Sequence, residues 1–126
     1  MDEDKKNSIL IIDDDKLVIM DLIQILASDY TVYAIKNGLD AVEEAESLLP
    51  DLILLDIIMP ETDGYAVITA LKNSKKAKDI PVIFISGLSD DKDKRKGLDL
   101  GGVDFINKPF SPDIIKSKVK NQIEKA

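Results

Sequence analysis

Residues 52–55, Leu-Ile-Leu-Leu, run without a polar interruption into Asp56, and this stretch most narrows what the chain can fold into. A run apolar on both faces of a strand belongs to a sheet covered on both sides, the usual environment of parallel strands. Residues 9–12, Ile-Leu-Ile-Ile, repeat the pattern and end in Asp13-Asp14-Asp15. In open α/β sheets, ligands bind outside the carboxyl ends of the strands, so an acid in that position is placed for chemistry. Aspartate is also a common turn former, and alone Asp56 reads equally well as either.

The remaining segments alternate. Residues 16–28 carry Val18, Ile19, Leu22, Ile23, Ile25 and Leu26 at helical spacings, with Asp21 and Gln24 on the outer face. Residues 30–34 are β-prone, and Asn37-Gly38 turns the chain into a second helix marked by Leu39, Val42, Ala45, Leu48 and Leu49 and stopped by Pro50. Tyr65, Ile68 and Leu71 give a third helix an apolar face, followed by a polar connection over 72–79. Residues 81–85 form a fourth strand ending in Ser86-Gly87, and residues 103–107 a fifth ending in Lys108-Pro109-Phe110. The charge run 90–96 reads as a solvated helix face with no chemistry of its own, closed by Leu98, Leu100 and Gly101-Gly102. Ser111 and Pro112 begin a last helix with Ile115, Val119 and Ile123 on one side. Five strands alternating with five helices predict a three-layer, doubly wound α/β sandwich.

Composition limits the chemistry. The 126 residues, 44% hydrophobic and 33% charged, fit one domain, read as 8–126 after a solvated tail at 1–7. A net charge of −7 disfavours direct nucleic-acid or anionic-membrane binding. With neither Cys nor His, the common zinc ligand sets are excluded, and any metal must be an oxygen-ligand one. The charged N-terminus has no signal-type apolar segment and no stretch approaches the ~18 apolar residues of a membrane span, so a cytoplasmic location is expected.

In such a fold the residues following strands one, three, four and five share one edge: Asp13-Asp14, Asp56, Ser86 and Lys108. Crowded carboxylates need a cation, and Lys108 offsets only one of them. Hard oxygen ligands open to water suit Mg²⁺, which keeps several waters and takes one or two carboxylates plus a phosphate oxygen. Acids, a divalent cation, a hydroxyl and a lysine are suited to a phosphoryl group. Asp15 reads as a helix cap, and Glu61, Thr62 and Asp63 as loop and turn residues, with Gly64 needed for backbone conformation.

The Ile-Ile-Asp13-Asp14-Asp15 stretch, Leu-Leu-Asp56-Ile-Ile-Met59-Pro60-Glu-Thr-Asp63-Gly64, Ile-Ser86-Gly87 and Lys108-Pro109-Phe110 resemble, in order and spacing, the receiver domain of two-component response regulators. The resemblance spans Ser8 to the C-terminus and implies a flavodoxin-like (βα)5 fold, chemotaxis-regulator-like, with strand order 2-1-3-4-5. It implies that Asp56 is the phosphoacceptor nucleophile, served by a histidine kinase or histidine phosphotransfer protein. It implies Mg²⁺, replaceable by Mn²⁺, held by Asp14 and Asp56, by Asp13 through water, and by the Ile58 backbone carbonyl. Ser86 and Lys108 would bind phosphoryl oxygens, Lys108 pairing with Asp56 beforehand, and the Lys108–Pro109 bond is often cis in the family.

The output also follows from the resemblance. Ser86 and Phe105 form the switch that reshapes the face made by helix four, strand five and helix five, for a downstream protein, an effector domain or a phosphorylation-dependent homodimer. Phe105 replaces a tyrosine common in the family, and its lost hydroxyl predicts a bias towards the inward position. Ile58 and Leu88 occupy the positions that tune acyl-phosphate lifetime, and two aliphatic side chains predict slow self-dephosphorylation. Such a domain catalyses its own phosphotransfer and dephosphorylation but serves primarily as a switch. Three alternatives compete. A flavodoxin would need Ser, Thr or Gly after strand one rather than three repelling acids. A haloacid-dehalogenase-type, Mg²⁺-dependent phosphohydrolase would have Thr or Val where Lys16 stands. A degenerate receiver used only for protein binding would not need all five site residues.

Overall fold

The computed structural model describes residues 6–88 and 90–125, so the expected tail lies outside the described residues except for Lys6 and Asn7. Five strands, β1 (Ser8–Ile12), β2 (Thr31–Ile35), β3 (Leu52–Asp56), β4 (Val82–Ser86) and β5 (Asp104–Asn107), alternate with five helices. These are α1 (Lys16–Leu26), α2 (Ala41–Leu48), α3 (Gly64–Lys72), α4 (Asp91–Asp99) and α5 (Pro112–Glu124). The sheet is parallel throughout, in the order β2-β1-β3-β4-β5. The chain reverses its direction of winding between β1 and β3, which opens a crevice at their carboxyl ends.

The period-2 alternation of a strand splits each apolar run between two cores. Leu10, Ile12, Ile53, Leu55 and Phe84 pack with Ala45 of α2 and Ile68 and Leu71 of α3. Ile9, Ile11, Leu52, Leu54 and Ile85 pack with Leu22 and Leu26 of α1 and Ile115 and Val119 of α5. That is why β3 and β4 are buried at all five positions, whereas β2, at the edge, is mostly exposed.

Helix starts follow side-chain capping. Asp15, Asp63, Asp90 and Ser111 each accept a backbone N–H from the first turn of α1, α3, α4 and α5. At α2 a 3-10 turn, Gly38–Asp40, capped by Asn37, precedes the helix, and Leu49 closes it in the left-handed conformation (φ 46°) before Pro50.

Several boundaries differ from expectation. α1 stops at Leu26 rather than residue 28, and Ile23 lies on its partly exposed flank while Ile19, Leu22 and Leu26 are buried. Asn7 is tied down, its carbonyl accepting from Thr31 N–H at 2.9 Å. The polar connection after α3 is not simply solvated: Ser74, Ala77 and Ile80 are buried, and Lys72 Nζ donates to the Lys78 and Ile80 carbonyls. Among the described residues no helix is long and apolar enough to cross a membrane.

Candidate phosphoacceptor site

Register brings the polar strand ends together. Ile12 pairs with Leu55, so the next residues, Asp13 and Asp56, leave β1 and β3 side by side. Ser86 ends β4 opposite Asn107, and its carbonyl accepts from Lys108 N–H at 2.8 Å, which fixes the root of the lysine against β4. Lys108 Nζ then reaches across the sheet edge to Asp13 Oδ2 at 3.1 Å and Asp56 Oδ1 at 3.4 Å. The lysine therefore serves both acids, not Asp56 alone, and lies slightly closer to Asp13. The Lys108–Pro109 peptide is cis.

Both acids are buried and Asp14 is exposed. Burial raises the Asp13 pKa above its ordinary value, although the Asp15 N–H and Lys108 work against the rise. Asp56 is pushed up to about 6, first by burial and then by the charge of Asp13, with Lys108 opposing. Burial acts against the Lys108 ammonium as well, yet its contacts with Asp13 and then Asp56 carry its pKa above the ordinary lysine value. One ammonium facing two buried carboxylates leaves negative charge uncompensated.

Carboxylate oxygens of Asp13, Asp14 and Asp56 all lie within 4.8 Å of one another. This all-oxygen donor set, with one member open to solvent, fits a hard divalent cation. Ser86 is fully buried and its Oγ accepts from Leu88 N–H at 3.2 Å. Ile58 is 59% exposed at the rim, and Leu88 is half-buried against the core. Phe105 is 8% exposed, its ring centroid 6.1 Å from that of Phe84, so it occupies the inward position.

The loop after Asp56 was only partly legible. Asp63, read from sequence as a turn residue, caps α3 by accepting from Ala66 N–H at 2.8 Å. Gly64, read as needed for backbone conformation, has no positive φ; its role is space. A Cβ there would lie 2.6 Å from the Asp56 carbonyl oxygen and 2.8 Å from Ile57 Cα. Gly64 N–H donates to the Ile57 carbonyl at 2.6 Å, and Ile58 bridges to Asp63, so the start of α3 lies directly on the end of β3. An Asp-Gly pair before an apolar helical pattern is the sequence signal for that cap.

The family model described as response regulator receiver domain matches residues 9–120. The chain belongs to this family. The receiver is 39% identical over 124 residues to a protein of Vibrio cholerae named as a probable cyclic di-GMP phosphodiesterase, covering 98% of this chain and 28% of that one. It is 37% identical over 114 residues to the DNA-binding transcriptional regulator RpaA of Synechocystis, covering 89% and 47%. The receiver also superposes on the signal receiver domain of a histidine kinase from Syntrophus aciditrophicus with a TM-score of 0.85 and 36% identity, covering 95% and 92%. It spans about half or less of the length of the curated relatives it matches.

Proposed function

We infer that the domain accepts a phosphoryl group on Asp56 from a phosphohistidine of a histidine kinase or phosphotransfer protein, and that this changes the face formed by α4, β5 and α5. The observation that carries this reading is the cluster of three carboxylates within 4.8 Å, served by the single Lys108 ammonium. In the transfer, an Asp56 carboxylate oxygen forms the new O–P bond while the P–N bond breaks, its electron pair returning to the donor imidazole. A carboxylate is a weak nucleophile, so alignment and charge neutralisation do most of the work. Lys108 neutralises one phosphoryl oxygen and Ser86 Oγ donates to another. Asp14 and Asp56 directly, Asp13 through water and the Ile58 carbonyl would hold Mg²⁺ or Mn²⁺. The cation supplies charge compensation for the phosphoryl oxygens.

The reading places the domain in the cytoplasm, where it would act on a downstream protein, a fused effector domain or a second phosphorylated copy. The complete set of acids, hydroxyl and lysine at one edge supports an acceptor over a degenerate module. Incubation with acetyl phosphate tests this. A Mg²⁺-dependent mass increase on the intact protein, abolished by EDTA and reversed by hydroxylamine, is expected; no increase with Mg²⁺ present overturns it.

Lifetime is the second expectation. Ile58 and Leu88 offer no polar group to orient an attacking water, so self-dephosphorylation is slow. Ile58→Asn combined with Leu88→Glu is expected to shorten the phosphorylated half-life by roughly 10-fold or more, within the range of general acid–base assistance. An unchanged half-life by mass spectrometry rejects the role.

A further inference from the structure

Seven of the nine residues of α4 are charged and only Gly97 is buried, so no apolar stripe holds this helix to the domain. Within Asp91–Asp99 its contacts are with three aromatic rings, and its C-cap Leu100 packs on the core. Phe84, fully buried on β4, contacts Tyr65 of α3 and Phe105 of β5, with centroids 6.1 Å apart in both pairs. Gly97 and Gly102 let the backbone lie on Phe84: a Cβ at either would stand 2.8 or 2.6 Å from its Cε2. Lys96 Nζ sits 4.4 Å from the centroid of Tyr65, and Lys94 Nζ 5.8 Å from that of Phe105. Tyr65 Oη donates to the Asp93 carbonyl at 3.1 Å.

The two ends of this row differ. At the Tyr65 end α4 has a hydrogen bond and a close cation–π contact. At the Phe105 end it has one longer cation–π contact. Tyr65 also follows Gly64, whose N–H is bonded to the carbonyl of Ile57, the residue after Asp56. α4 is thus joined to the loop that leaves the acceptor aspartate by a short route that bypasses Ser86 and Phe105.

We propose that Tyr65 is the pivot of α4, holding the side of the helix that carries Asp93 and Lys96 to the Asp56 loop, while the side that meets Phe105 through Lys94 is the one that releases. This rests on the reading of Phe105 as a switch residue, and makes Tyr65 a positioning residue. The position of α4 and the placement of the Phe105 ring then belong to one two-state equilibrium, biased from the Asp56 loop as well as from Ser86.

The test uses unphosphorylated protein, so its outcome is independent of whether Asp56 accepts a phosphoryl group. Tyr65→Phe keeps the ring and the Lys96 contact and removes only the hydrogen bond; Lys94→Met removes the cation at the other end. Amide hydrogen exchange is followed across α4, with α2 and α5 as references, together with the Phe105 resonances. Tyr65→Phe is expected to speed exchange in α4 roughly 3- to 10-fold, the span of one net hydrogen bond. References stay unchanged, and the Phe105 resonances shift in the same variant. Lys94→Met is expected to change α4 exchange less than twofold. Unchanged α4 exchange in Tyr65→Phe, equal effects of the two variants, or a rise spread over α2 and α5 overturns the pivot. A rise in α4 with Phe105 unmoved means the helix only frays, which overturns the coupling.

Discussion

Asp56→Asn is expected to abolish phosphoryl uptake from acetyl phosphate and, in the metal-free protein at neutral pH, to raise stability. The amide keeps the shape of the side chain but offers no carboxylate oxygen for the new O–P bond. The stability gain follows from the same geometry. Asp56 is buried beside Asp13, and its pKa in the folded protein is about 6 against an ordinary 3.8. A group whose folded pKa lies above its unfolded value binds protons more tightly when folded. Its contribution to stability therefore declines as pH rises from about 4 through about 6 and stays at its low value above that. The shift corresponds to about 3 kcal/mol between the two ends of the window, as an upper figure. Lys108 lies outside this range, because its raised pKa gives a stability contribution lost only in strongly alkaline solution.

Urea denaturation with EDTA from pH 4.5 to 8 should show the wild type losing stability towards neutral pH. Asp56→Asn should follow a flatter curve, with a residual slope from Asp13, whose pKa is also raised. Saturating Mg²⁺ should stabilise the wild type at pH 7 more than the variant, since a ligand bound only by the folded state adds its binding free energy. Equal slopes in the two proteins would remove Asp56 as the source of the electrostatic strain. Phosphorylation surviving in Asp56→Asn would place the acceptor elsewhere.

Gly64→Ala is expected to cost about 2–3 kcal/mol and to slow phosphorylation at the same time, by overpacking a place where backbone meets backbone. The atoms a new Cβ would meet, the Asp56 carbonyl oxygen and Ile57 Cα, belong to the strand end itself and have no rotamer to escape into. Relief requires moving the start of α3 away from β3, which displaces the loop carrying Ile58 and tilts the Asp56 peptide. Gly87→Ala is the control: it directly follows Ser86, and a Cβ there would meet nothing within 4 Å. It should stay within about 0.5 kcal/mol of wild type, as surface substitutions usually do. Chemical denaturation and the initial rate with acetyl phosphate measure both effects. A Gly64→Ala protein as stable as Gly87→Ala would refute the close-approach account.

Much of the architecture is legible in the sequence. The runs at 9–12 and 52–55 read as buried on both faces, and the alternation of strands with helical spacings left a parallel sheet with helices on both sides as the consistent solution. The caps Asp15 and Ser111 were readable because capping is a local interaction between a side chain and its own next turn. The five polar residues at the strand ends were readable as neighbours because parallel topology places all carboxyl ends together.

What the sequence by itself determined is therefore periodic or local: the elements, the layers and the edge that carries Asp13, Asp14, Asp56, Ser86 and Lys108. Only the tertiary structure decided that Lys108 bridges two acids rather than one, that Gly64 is required for space rather than for φ, and that the charged α4 is held by aromatic rings. Those facts depend on how closely atoms of different elements approach, from 2.6 Å at Gly64 to 5.8 Å between Lys94 and the Phe105 ring. Hydrophobic periodicity constrains which face of an element is buried, but it is silent about which atoms meet across the packed interface. The lysines of the 90–96 run illustrate the difference. Their charge pattern matches a solvated face, and two of them, Lys94 and Lys96, lie over rings supplied by β5 and α3.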